Sequence, residues 1–114
     1  MVAKINDSTI VSGSLDRTVR IWDLASKSCV EVLNGHTSII NAVSTIDEST
    51  VVSGSFDHTV RVWDLGSKSC VAVLSGNDRE VNSIVKLNET TLISGSGGSN
   101  MHLWDLDIAR QNAM

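Results

Sequence analysis

The sequence predicts an all-β protein built as an open stack of about three four-stranded antiparallel sheets. Three observations predict it. A block of sequence returns at a fixed step of 41 residues: Ser12-Gly13-Ser14 becomes Ser53-Gly54-Ser55 and then Ser94-Gly95-Ser96, while Trp22-Asp23-Leu24 becomes Trp63-Asp64-Leu65 and then Trp104-Asp105-Leu106. A strict period of this length is the mark of a repeat architecture. Short β-branched runs fill each period, and only the tail, Asp107 to Met114, has a composition open to helix. Among 114 residues there is no Pro. Proline removes a ladder donor inside a sheet, so a chain made of strands and short turns has little room for it.

The middle repeat shows the elements in order. Ile39 to Thr45 reads as an inner strand, Thr50-Val51-Val52-Ser53-Gly54 as a second, Thr59-Val60-Arg61-Val62-Trp63 as a third and Cys70-Val71-Ala72-Val73-Leu74 as a fourth. Turn chemistry separates them in Phe56-Asp57-His58, in Asp64 to Ser69 and in Asn34-Gly35-His36. Along the third strand Val60 and Val62 lie on one face, Arg61 and Trp63 on the other. A sheet with apolar groups on both faces must be covered on both. Face-to-face stacking does this, and curling the stack gives a partial, open β-propeller. The blades are expected at 1–34, 35–75 and 76–106, with a C-terminal tail at 107–114. Met1 aligns with Ala42, so the first blade starts with a shortened inner strand. Nothing after Asp105 matches Cys70 to Leu74, so the third blade lacks its outer strand. About 2.8 periods fit the chain, whereas propellers close with about four to eight blades. The expectation is a fragment of a longer propeller or an oligomerising protomer, whose end faces take further blades from the rest of the chain or from another copy.

Composition narrows the function classes. Hydrophobic residues make up 41% and charged residues 19%, and the net charge is −4. The acidic balance argues against a nucleic-acid surface, which needs clustered Lys and Arg. Apolar runs of only a few residues argue against a membrane span. Met1 to Asp7 has neither a basic n-region nor an apolar h-region, which points to an intracellular protein, cytoplasmic or nuclear. Cys29 and Cys70 take equivalent places one blade apart, beyond the roughly 7 Å that a disulfide bridges, and read as reduced packing residues. Scattered histidines and the absence of CxxC leave no metal or cofactor to expect. Asn6-Asp7-Ser8 and Asn88-Glu89-Thr90 are glycosylation sequons that read as turns. The Gly-rich segment at 95–98 lacks a following Lys and is no phosphate loop.

The run Val52-Ser53-Gly54-Ser55-Phe56-Asp57-His58-Thr59-Val60-Arg61-Val62-Trp63-Asp64, preceded by Gly35-His36, resembles a WD-repeat β-propeller, and the resemblance extends from about Val2 to Leu106. It implies a non-catalytic scaffold that binds proteins or peptides. It also implies a buried His–Ser–Asp–Trp tetrad: His36, Ser53, Asp57 and Trp63 in the middle repeat. The first repeat offers Ser12, Asp16 and Trp22. The third keeps Ser94 and Trp104 but has Asn77, Gly98 and Asn100 at departing positions, so Ser94 to Asn100 is expected to be the loosest part of the fold. The partner-binding rim, carried over by position, comprises Leu15, Arg17, Ile39, Asn41, Phe56, His58, Glu80, Asn82 and Gly97. The Cys-Val-x-Val-Leu-x-Gly-His run further resembles the propellers of F-box substrate receptors of ubiquitin ligases. Members that read phosphopeptides present Arg on the rim, whereas Leu15, Phe56, Asn41 and Asn82 stand here. His36, Ser53 and Asp57 are also the residue types of a hydrolase triad. Ser53 lacks a nucleophile elbow, and Ser12 and Ser94 occupy the same slot without a full set of partners, so the structural role is preferred.

Overall fold

The computed structural model describes residues 1–75, 79–88, 90–96 and 101–106. Among them, eleven strands form three antiparallel sheets. β1 (Val2–Asn6), β2 (Thr9–Gly13), β3 (Val19–Asp23) and β4 (Ser28–Leu33) make the first, in sequence order. β5 (Ile40–Asp47), β6 (Thr50–Ser55), β7 (Val60–Asp64) and β8 (Ser69–Leu74) make the second. β9 (Val81–Lys86), β10 (Thr91–Ser96) and β11 (Met101–Asp105) make the third, with β10 in the middle. The sheets do not close into a ring, so the architecture is a partial, open propeller. Residues 97–100 and the tail at 107–114 lie outside the described residues. No helix among the described residues is long and apolar enough to cross a membrane.

Short polar side chains set the turns. Asn6, Asp47 and Asn88 each accept a hydrogen bond on Oδ1 from the backbone N–H two residues on, at 2.9 Å in all three cases. This Asx geometry ends each inner strand and starts the next. Two further aspartates act at the turn after the tryptophan. Asp23 Oδ2 accepts from the Ser26 N–H at 3.0 Å and Asp64 Oδ2 from the Ser67 N–H at 2.9 Å. Lys27 and Lys68 close these turns with φ of 56° and 58°, the left-handed region that a non-glycine residue enters only when its surroundings hold it there.

Alternation on β7 divides the core. Val60 and Val62 belong to an apolar cluster shared with the third sheet, together with Ile46, Val52, Ala72 and Leu74 on one side and Val81, Leu92 and Leu106 on the other. Trp63 turns the opposite way. It joins Ile40 and Val51 in a cluster with Val11, Val19, Ile21 and Leu33 of the first sheet. A bulge opposite β8, between Val62 and Trp63, recurs between Ile21 and Trp22 opposite β4. Bulges increase local twist. The middle sheet is thus covered on both faces, and every residue of β6 is buried.

Glycine in the second strand permits this approach. A Cβ on Gly54 would stand 2.5 Å from Val81 Cγ1 of the next sheet, and one on Gly13 would collide with Ile40 in the same way. Gly54→Ala is expected to lower stability by about 1–3 kcal/mol through overpacking. Gly66→Ala is the control, since a Cβ there meets only Asp64 Oδ2 at 3.5 Å. Urea midpoints of the two variants measure the difference; equal midpoints would contradict close packing at Gly54.

Candidate functional site

The second sheet holds a chain of hydrogen bonds at one end. Trp63 Nε1–H donates to Ser53 Oγ at 2.8 Å. Ser53 Oγ lies 2.6 Å from His36 Nε2, and His36 Nδ1 lies 2.8 Å from Asp57 Oδ2. The tautomer protonated on Nδ1 satisfies every group: Ser53 donates to Nε2, and Nδ1–H donates to the carboxylate. Asp57 accepts further bonds from the Thr37 N–H at 3.0 Å, the Thr59 N–H at 3.0 Å and the Thr59 hydroxyl at 2.6 Å. One carboxylate therefore ties the β4–β5 connection to the β6–β7 turn. Arg61 adds a cation over the Trp63 ring, 6.0 Å from its centroid.

Burial and hydrogen bonding set the charges. Burial lowers the pKa of His36, outweighing the Asp57 carboxylate that raises it, so the ring is neutral at pH 7. For Asp57 burial acts to raise the pKa. The hydrogen bonds from Thr59, His36 and Thr37 overcome it and hold the group at about 2. Ser53–His36–Asp57 thus has the connectivity of a hydrolase relay. Ser53 is 0% exposed and its oxygen also takes the Trp63 N–H. The arrangement binds the blade together.

The other repeats keep part of this chain. Trp22 Nε1–H donates to Ser12 Oγ, and Trp104 Nε1–H to Ser94 Oγ, each at 2.8 Å. Asp16 is exposed. It accepts from the Thr18 hydroxyl at 2.6 Å and pairs with Arg20 at 2.9 Å. Those bonds, Thr18 first, hold its carboxyl well below the usual range. His102 takes the place of Arg61 and stacks on Trp104, centroids 5.7 Å apart. Asn77, Gly98 and Asn100 lie outside the described residues. The sequence marks Asp64 to Ser69 as a turn; the capping bond from the serine three residues on, at Asp23 and Asp64 alike, is what the structure adds.

The described rim candidates gather at the same end of the sheets, on the β2–β3 and β6–β7 turns, on the connections into β5 and β9 and at the first residues of those strands. Leu15 and Phe56 occupy equivalent turn positions and are 79% and 45% exposed. Two residues on, Arg17 and His58 hold the turns with φ of 74° and 72°. Asn41 is half-buried and donates from Nδ2 to the Val81 carbonyl at 3.3 Å, which links the second blade to the third. The Ile40 N–H donates to the Ser14 carbonyl at 3.2 Å, which links the first to the second. Ile39 is half-buried and Asn82 exposed; Glu80 stands 3.9 Å from Arg79 Nε. Gly97 lies outside the described residues. Cys29 and Cys70 are both free thiols, half-buried.

Stacked four-stranded blades, each tied by a tryptophan–serine bond, define the class as a propeller built of repeats. The model of the WD domain, G-beta repeat matches residues 3–23, 27–64 and 68–105, and the chain belongs to this family. Repeats of this family serve as protein-interaction scaffolds. The chain is 45% identical over 40 residues to the WD repeat-containing protein pop2 of Schizosaccharomyces pombe, covering 35% of this chain and 6% of that protein. It is 49% identical over 35 residues to Coatomer subunit beta'-1 of Arabidopsis thaliana, covering 31% and 4%. It is 47% identical over 34 residues to Cell division control protein 4 of Saccharomyces cerevisiae, covering 30% and 4%. The chain therefore spans a small part of the length of these relatives.

Ser53→Ala leaves the Trp63 N–H and His36 Nε2 buried without partners and is expected to cost about 1–3 kcal/mol. Ser12→Ala costs less, because Trp22 is half-buried and water reaches it. Denaturant titration of both variants checks the order. Stability also falls with acid in two windows. His36 and Asp57 both have folded pKa values below their unfolded ones, so each contribution is complete above the unfolded pKa and lost as pH falls. Loss is expected to begin below about pH 6.5 from His36, and a second loss below about pH 4 as Asp57 protonates. His36→Asn should abolish the first window; an unchanged profile in that variant would contradict the assignment.

Proposed function

We propose that this chain supplies a non-catalytic docking rim for proteins or peptides. The observation that carries this reading is the pair of exposed apolar side chains, Leu15 and Phe56, at equivalent turns of neighbouring blades. Each is presented by a turn pinned by hydrogen bonds: the Thr18 N–H to Asp16 at 3.1 Å, and the Thr59 N–H to Asp57 at 3.0 Å. A rigidly held aromatic loses little entropy on contact, which suits an anchor residue. His58 adds a polar group two residues after Phe56, and Asn82 stands exposed on β9 of the next blade. An acidic chain of net charge −4 favours a neutral or basic partner surface. The narrower role of a ubiquitin-ligase substrate receptor rests on its sequence resemblance alone, and no geometry on this rim favours it.

Site-specific photo-crosslinking in the native cells tests the rim. A photoreactive residue at position 56 or 15 is expected to yield discrete protein adducts. One at Lys27 or Lys68, on the turns at the opposite end of the sheets, is not. Adducts from both ends alike, or from the far end only, would move the docking surface elsewhere.

A further inference from the structure

One dipeptide in the connection between the first and second sheets carries a chemistry that the repeat does not require. Of the asparagines in the chain, at 6, 34, 41, 77, 82, 88, 100 and 112, only Asn34 is followed by glycine. The glycine has a packing reason. A Cβ on Gly35 would stand 2.7 Å from Arg61 Nη1 and 3.0 Å from Trp63 Cη2, so the main chain there lies against the guanidinium and ring of β7. One period on, the same place is Ser75-Gly76, so the repeat asks for the glycine and not for the amide. Asn34 is exposed and lies between the end of β4 and the start of β5, outside both strands. Among the described residues its amide makes no hydrogen bond, and the Gly35 N–H has no acceptor. The other described asparagines differ. Asn6 and Asn88 accept on Oδ1 from the N–H and hydroxyl of Ser8 and Thr90. Asn41 donates to the Val81 carbonyl from within β5, and Asn82 lies within β9.

We propose that Asn34-Gly35 deamidates spontaneously and that the isoaspartyl product pulls His36 out of its bonds to Ser53 and Asp57. Glycine suits the attack, because no Cβ shields its nitrogen and its backbone rotates freely. Hydroxide takes the proton of the Gly35 nitrogen, which attacks Asn34 Cγ. The N–Cγ bond forms, the Cγ–Nδ2 bond breaks, and Nδ2 takes up a proton from water and leaves as ammonia. Water then opens the cyclic imide at either carbonyl, and the acid formed loses its proton. Opening at Cγ gives aspartate. Opening at the main-chain carbonyl of residue 34 gives isoaspartate, whose main chain runs through Cβ and Cγ and is longer by a carbon. Nothing is oxidised or reduced, and one negative charge is added to the net charge of −4.

The added length falls between two held residues. Leu33 is buried in the apolar cluster of the first and second sheets. His36 is held by atoms at 2.6 Å and 2.8 Å, on Ser53 and Asp57. Hydrogen bonds weaken steeply with distance and angle, whereas apolar contacts tolerate small shifts, so the displacement falls on the histidine. The proposal does not depend on what the rim binds.

Ageing the folded chain at mildly alkaline pH tests it, beside the same chain in urea. Peptide mapping by mass spectrometry places each amide-to-acid exchange, and enzymatic methylation of isoaspartyl groups counts that product. In the folded chain Asn34 is expected to convert ahead of every other asparagine, with isoaspartate among the products. The urea midpoint of the aged chain is expected to fall. Asn34→Gln aged alike keeps its midpoint, because glutamine must close a larger ring. Fresh Asn34→Asp carries the charge without the longer main chain and also keeps its midpoint. Asn34 still amidated in the folded chain after the urea sample has converted would overturn the proposal. Earlier conversion at another asparagine, or a urea sample that stays amidated at 34, would overturn it as well. An unchanged midpoint after conversion, or an equal fall in fresh Asn34→Asp, would overturn the displacement of His36.

Discussion

Everything in this fold depends on covering sheets that are apolar on both faces. Val62 and Trp63 are adjacent in one strand and are buried in different clusters. Neither is served by a sheet that stands alone, since at about 25 cal/mol per Å² burying a large apolar side chain is worth roughly 1.5–3 kcal/mol. The same constraint explains the glycine at 13 and 54. It removes a side chain where the next sheet's inner strand must pass. Stacking is therefore the source of order, and the hydrogen-bonded chain refines it.

That chain adds specificity where stacking alone has none. Apolar contacts tolerate sliding; a tryptophan N–H, a serine hydroxyl and an imidazole in series do not. In the second blade the carboxylate of Asp57 completes the series and fixes the β6–β7 turn. The backbone there presents Phe56 to solvent while Asp57 points inward. Structure and the proposed docking rim are consequently coupled: the residue that anchors the turn is adjacent in sequence to the residue the turn displays.

Much of this was legible in the residues. The step of 41 fixed the number of sheets, and the alternation in Thr59 to Trp63 placed valines and tryptophan on opposite faces, as they stand. Other features depend on neighbours that a pattern does not show. Asp16 and Asp57 occupy the same motif position, yet Asp57 bonds to His36 of the preceding connection whereas Asp16 is exposed and pairs with Thr18 and Arg20. The bulge before Trp63, the ring contact of Arg61 and the bond from Asn41 to the next sheet arise from packing between strands far apart in sequence. The turns at Asn6 and Asn88 were visible in the sequence, but not the one at Asp47, nor that the three are one device repeated.

Hydrogen exchange on the chain tests the dependence on two-faced coverage most directly. The account predicts that the amides of β6 and β7 exchange slowest, at the global rate of unfolding, while β2–β3 and β10–β11 exchange measurably faster through local opening. Uniform protection across the three sheets would contradict it, because each blade would then be stable without a neighbour on both faces.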